Sequence, residues 1–211
     1  MTSLSPKQEL EILAAGEYQR IVGIDEVGRG CWAGPVAVGA YVFHAQQPRV
    51  RGVNDSKKLL PAKRRHVYAK LQNHDYSVLY GAVADIDRLG IAVMIENLIA
   101  QLIEQFQGDN TLFLIDGKFR REFGQHTRKV IDGDAIYYSI AAASILAKVE
   151  RDDLMYELSK QFPAYDLASN KGYGTKFHQE AIATHGICEL HRRSWDPISL
   201  ITNPQLQLEL D

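Results

Sequence analysis

Cysteine is scarce in this chain of 211 residues, where Cys31 and Cys188 stand alone. Their separation fits no metal-binding spacing. Two cysteines do not make a disulfide scaffold either, so both read as free thiols in a reducing cytosol, and a cytoplasmic protein is expected. Long apolar runs are missing too: no stretch approaches the roughly 20 residues of a membrane-spanning helix. The opening Met1-Thr2-Ser3-Leu4-Ser5-Pro6 lacks the charged and apolar regions of a secretory signal. Repeats, low-complexity tracts and Pro/Gly-rich linkers are absent. The expectation is therefore one domain over residues 19–200, with residues 1–18 an extension or short helix and residues 201–211 a tail. An excess of one charge sign is also lacking. A net charge of −2 gives the whole molecule no long-range pull on nucleic acid. Three nucleotide or acyl-transfer signatures fail as well. There is no P-loop lysine pattern and no serine nucleophile elbow. Gly28-Arg29-Gly30-Cys31-Trp32-Ala33-Gly34 brings its third glycine one residue late for a dinucleotide loop, and Pro35 follows at once.

What is present is enough apolar sequence, 45%, for one sizeable core. Strand signals fall at residues 20–25, 35–43, 76–84 and 111–115, with a short one at 129–131. Helical patterns cover residues 6–17, 61–73 and 85–106, the last interrupted at Gly90. A longer one runs from Tyr138 to Phe162, stopped by Pro163, and another from Lys176 to His185. This order predicts an α/β protein with a mixed central sheet flanked by helices.

Two acidic stretches carry the chemistry. Ile24-Asp25-Glu26-Val27-Gly28 and Ile115-Asp116-Gly117 each end an apolar run and then meet a glycine that lets the backbone turn. Ligands of open α/β sheets bind beyond the carboxyl ends of the strands. If the two strands are parallel neighbours, Asp25, Glu26 and Asp116 converge there. Like charges so close resist ionisation unless a cation joins them, and an all-oxygen set suits a hard ion such as Mg²⁺ or Mn²⁺. Adjacent residues of a regular strand point to opposite faces, so Asp25 and Glu26 share a site only where the strand ends. Asp134, after Gly133, stands before the long helix with Asp132 as its competitor. Asp152 lies inside that helix, four residues from Lys148, where an ion pair explains it equally well.

Basic residues are grouped at Lys57-Lys58, Lys63-Arg64-Arg65, Lys118 with Arg120-Arg121, and Arg192-Arg193. Any one group reads first as a solvated face. Together, beside acidic and glycine-rich turns, they fit a phosphate-contacting surface. Asn54-Asp55-Ser56-Lys57-Lys58 is a polar turn followed by cations. Lys171-Gly172-Tyr173-Gly174-Thr175 sets an aromatic between glycines, able either to cap a turn or to stack on a sugar or base.

In this order the motifs closely resemble the ribonuclease HII family. They are Gly23 to Gly30 with Gly34-Pro35, Asn54 to Leu59, Ile115-Asp116-Gly117, Gly133-Asp134, Ala141 to Val149 with Arg151-Asp152, Lys171 to Thr175, and His191 to Ser194. The resemblance implies a ribonuclease H-like fold and an endonuclease that cuts RNA in RNA–DNA hybrids. It also implies cutting 5′ of single ribonucleotides embedded in duplex DNA, leaving 5′-phosphate and 3′-hydroxyl ends. Asp25, Glu26, Asp116 and Asp134 would hold two Mg²⁺ or Mn²⁺ ions, with Asp152 a possible additional acid. Gly28, Arg29, Gly30 and Tyr173 would read the ribose, while Asn54, Ser56, Lys57 and Arg192 are further substrate-contact candidates. The expected partners are nucleic-acid duplexes and no membrane. A monomer is expected, with no sliding-clamp or polymerase contact assigned. The sequence departs from the family pattern at Gly90 and over Asp166 to Asn170, near the expected sugar contact.

Overall fold

The computed structural model describes residues 3–202, so the leucine-rich end at residues 206–211 lies outside the described residues. Along the chain come α1 (Lys7–Ala14), β1 (Arg20–Val27), β2 (Val36–Phe43), α2 (Pro61–Leu71), β3 (Tyr76–Gly81), α3 (Val83–Leu89) and α4 (Ile91–Phe106). There follow β4 (Thr111–Asp116), β5 (Thr127–Val130), a 3₁₀ turn (Gly133–Ala135), α5 (Tyr138–Ser159), a second 3₁₀ turn (Pro163–Tyr165), α6 (Leu167–Asn170), α7 (Lys176–His185) and α8 (Asp196–Thr202). The strand expected over residues 76–84 stops at Gly81. Gly90, at φ 82°, separates α3 from α4.

Two compact units divide these elements. One holds residues 3–27, Ala37–Leu79 and Glu96–Glu150; the other holds Gly28–Val36, Tyr80–Ile95 and residues 151–202.

The mixed sheet runs β3-β2-β1-β4-β5. β1 pairs with β2 antiparallel from Ile21↔Phe43 to Val27↔Ala37, and with β4 parallel from Arg20↔Thr111 to Ile24↔Ile115. β5 continues the parallel side. Successive side chains face opposite sides of the sheet, and both sides of β1, β2 and β4 are largely buried. Ile21, Tyr41, Phe43, Leu112 and Leu114 face one core with Tyr138, Ile140 and the alanines of α5. That helix can lie directly on the sheet because Gly23 and Gly39 have no side chains. A Cβ on Gly23 would fall on the main chain of Ser139 and Ile140, and one on Gly39 would come within 2.6 Å of the Ala143 carbonyl.

The second unit has its own apolar cluster. Ala33, Met155, Tyr165, Leu167, Ile182 and Ile198 are buried there, with Trp32 and Trp195 packed against them.

Candidate active site

The sequence predicts the first strand over residues 20–25; β1 in fact continues to Val27. Its parallel neighbour β4 stops at Asp116, but the antiparallel ladder to β2 carries β1 three residues past their last pair. Asp25 and Glu26 thus sit inside a strand, on opposite faces. Asp25 shares the face of Ile21 and Gly23, toward α5, where the Ser144 hydroxyl donates to its carboxylate. Asp116 ends β4. Its Oδ1 accepts the Gly133 amide at 2.9 Å, which ties the strand end to the 3₁₀ turn carrying Asp134.

Asp25, Asp116 and Asp134 each offer an oxygen within 4.8 Å of the others. The structure therefore brings in Asp134 rather than Asp132, which is exposed in the left-handed region at φ 55°. Neither Glu26 nor Asp152 belongs to this cluster, and Asp152 lies in the second unit. Burial pushes the Asp25 carboxyl well up; the hydrogen bond from Ser144 works against this, and repulsion from Glu26, Asp116 and Asp134 adds to it. Burial likewise raises Asp116, partly offset by the Gly133 amide, and raises Asp134, with repulsion from Asp55 next. Converging, desolvated carboxylates held above their ordinary range fit a divalent cation, which would replace repulsion by attraction. All donors are oxygens, as Mg²⁺ and Mn²⁺ prefer.

The Asn54-to-Lys58 turn lies in the same unit. Lys57 points into solvent with its Nζ 4.0 Å from Asp134 Oδ2. Burial depresses its ammonium, but attraction from Asp134, Asp25, Asp55 and Asp116 outweighs that and raises it overall. Asn54 Oδ1 accepts the Asp55 amide at 2.8 Å. Ser56 does not match its expected role as a substrate contact: it is buried, with its hydroxyl 2.9 Å from that of Ser144. When Asp25 is ionised it can only accept, so Ser144 donates to it and Ser56 donates to Ser144.

In the second unit, Arg29 and Gly30 are exposed and Gly28 is buried at φ 86°. Tyr173 is 42% exposed, consistent with a ring open to a ligand. Arg192 overturns expectation. A basic residue next to Arg193 was read as a phosphate contact, yet it is fully buried. Its guanidinium donates to the carbonyls of Gly28, Arg29 and Gly34 at 2.8, 2.7 and 3.0 Å. It supports the loop from within and has no surface left to offer a phosphate.

Sequence reasoning missed Ser144, a lone hydroxyl in an alanine-rich helical run. It also missed the buried pair His178 and His191, whose Nε2 atoms are 3.1 Å apart. The Cys188 amide donates to His191 Nδ1 at 2.9 Å, so His191 Nε2 carries the proton and donates to His178. His178 Nδ1 then donates to the Tyr173 carbonyl at 2.9 Å.

Residues 22–198 match the sequence model of the family described as ribonuclease HII. A ribonuclease HII of Dehalococcoides mccartyi is 40% identical over 188 residues, 86% of this chain and 88% of the relative. Among solved structures, that of the PCNA:RNase HII complex from Archaeoglobus fulgidus is similar, with TM-score 0.71 and 27% identity over 83% of this chain and 94% of that one. Ribonuclease H2 from Pyrococcus horikoshii shares the fold, with TM-score 0.73 and 23% identity over 88% and 98%.

Proposed function

The chain belongs to the ribonuclease HII family, and from that premise we propose how this endoribonuclease, a ribonuclease H, selects and cuts its substrate. The substrate is the RNA strand of RNA–DNA hybrids and the single ribonucleotide within duplex DNA, cut on its 5′ side to leave 5′-phosphate and 3′-hydroxyl ends. The observation that carries this reading is the convergence of Asp25, Asp116 and Asp134 beside the parallel β1–β4 pair.

These three carboxylates would hold Mg²⁺ or Mn²⁺, and a second ion would need a further acid, for which Glu26, next in β1 but outside the cluster, is the candidate. Such ions would lower the pKa of water and stabilise charge on the departing oxygen. The chain's own part is preparatory. Ser144 and the Gly133 amide fix the directions of Asp25 and Asp116. Lys57, exposed with its Nζ 4.0 Å from Asp134, would meet the scissile phosphate. Gly28-Arg29-Gly30, which follows β1 one residue after the acidic pair, and Tyr173 read the ribose. The 2′-hydroxyl is the group that separates RNA from DNA at one site. Contacts to sugar and phosphate carry little base preference.

The test is cleavage of a labelled duplex with one ribonucleotide, in Mg²⁺ or Mn²⁺, beside an all-DNA duplex and a long hybrid. Metal-dependent cutting 5′ of the ribonucleotide, with the all-DNA duplex intact, is expected. Cutting of the long hybrid alone would refute the assignments of Gly28 to Gly30 and Tyr173.

A further inference from the structure

We propose that Arg151 and Arg192 are positioning residues that aim the Gly28–Gly30 loop and the Lys171–Tyr173 turn at the ribose. This rests on the reading of those two segments given above. Both arginines are fully buried. Arg192 holds the carbonyls of Gly28, Arg29 and Gly34. Arg151 holds those of Pro35 at 2.8 Å, Lys171 at 2.9 Å and Ala33 at 3.4 Å. These bonds end on main-chain oxygens, all from the two segments and the residues that follow the first. Gly172 closes the connection: its carbonyl accepts the amides of Trp32 at 2.8 Å and Ala33 at 3.2 Å.

The direction of the loop follows from peptide geometry. No peptide bond in the described chain is cis, so each C=O and the N–H of the same plane point opposite ways. Turning the carbonyls of Gly28 and Arg29 onto the Arg192 fork therefore turns the amides of Arg29 and Gly30 away from it. The Gly30 amide, on an exposed residue, is thereby turned to the side where an oxygen acceptor such as a hydroxyl or phosphate can meet it. Gly28 has to be glycine twice over, for its positive φ and because a Cβ there would fall on the Arg151 guanidinium.

A buried charge is costly unless its donors are filled. Burial pushes the Arg192 guanidinium down to about 10, which leaves it charged at neutral pH. Shape alone would be met by apolar residues at less cost. A planar fork that orients several carbonyls at once is something only arginine supplies.

The experiment measures binding, in an Asp116→Asn background that suppresses cutting, of a duplex with one ribonucleotide against the all-DNA duplex. Arg192→Lys and Arg151→Lys keep the charge and lose the fork. The preference for the ribonucleotide is expected to fall at least about fivefold in each, the worth of one hydrogen bond of about 1 kcal/mol. Mn²⁺ binding, measured with Asp116 intact, is expected to stay near the parent's, and the preference is measured well below each variant's melting temperature, so that the stability lost by leaving buried carbonyls without donors does not enter. Preference retained in both lysine variants but lost in Arg29→Ala would overturn the positioning role and leave the loop reading standing. A parent with no preference would sink the loop reading and this proposal with it. Failure of both lysine variants to fold would also overturn it, since the arginines would then hold the fold rather than aim the loop.

Discussion

Asn at position 116 separates charge from hydrogen bonding, because its Oδ1 can still accept the Gly133 amide while the negative charge is gone. Removing one of three mutually repelling carboxylates is expected to stabilise the metal-free protein by about 1 kcal/mol, or roughly 2–4 °C in melting temperature. Activity in the same variant is expected to fall to background. Calorimetry in EDTA beside a cleavage assay checks both, and a less stable Asp116→Asn would show that repulsion is not what the cluster stores. Ser144→Ala acts one shell further out. It removes the donor to Asp25 and leaves the Ser56 hydroxyl without that partner. Groups that orient a metal ligand typically contribute about 10–100-fold to affinity or activity, so Mn²⁺ binding by titration calorimetry is expected to weaken within that range. An unchanged affinity would mean that Asp25 is held by the strand alone.

At the scale of elements, β1 and α5 touch through main chain. Gly23→Ala would set a methyl group against the backbone of Ser139 and Ile140, which no rotamer change can relieve. Overpacking of this kind costs about 1–3 kcal/mol and sometimes more. The upper end is expected here, read as a lower urea midpoint with an unchanged slope; a loss below about 1 kcal/mol would mean that α5 slides freely on the sheet. The same contact shows what the sequence disclosed. The apolar runs before Asp25 and Asp116 were legible as strands, and the alanines of the long helix as close packing. The extension of β1 to Val27 was not, because it depends on a ladder to a strand that follows in sequence. Asp132 and Asp134 flank one glycine and look alike locally; only the left-handed backbone at Asp132 separates them. Arg192 and Ser56 were misread because arginine and serine are usually exposed. Burial is a property of the fold, and no short window records it.

Across the whole molecule, the acidic cluster of the first unit and the histidine pair of the second titrate with opposite effects on stability. In the first, Asp25, Asp116 and Asp134 are raised by folding. Their contribution is fully present below the unfolded carboxylate value near pH 4 and is lost as pH rises through the folded values. A divalent cation reverses this by binding the ionised cluster and releasing protons. In the second unit, burial lowers His178, and it lowers His191 to about 4, with repulsion from His178 adding to the effect. Their contribution is present above about pH 6.5 and is lost as pH falls toward 4, by up to about 3 kcal/mol for His191. Hydrogen exchange, corrected for intrinsic rates, reads the units separately. Between pH 7.5 and 5, amides of Tyr165 to Ile182 are expected to lose protection, while those of β1 and β4 hold or gain it in EDTA. Mn²⁺ is expected to protect β1 and β4 far more at pH 7.5 than at pH 5. An equal loss of protection in both units on acidification would count against this division, because it would place the governing titration in neither cluster.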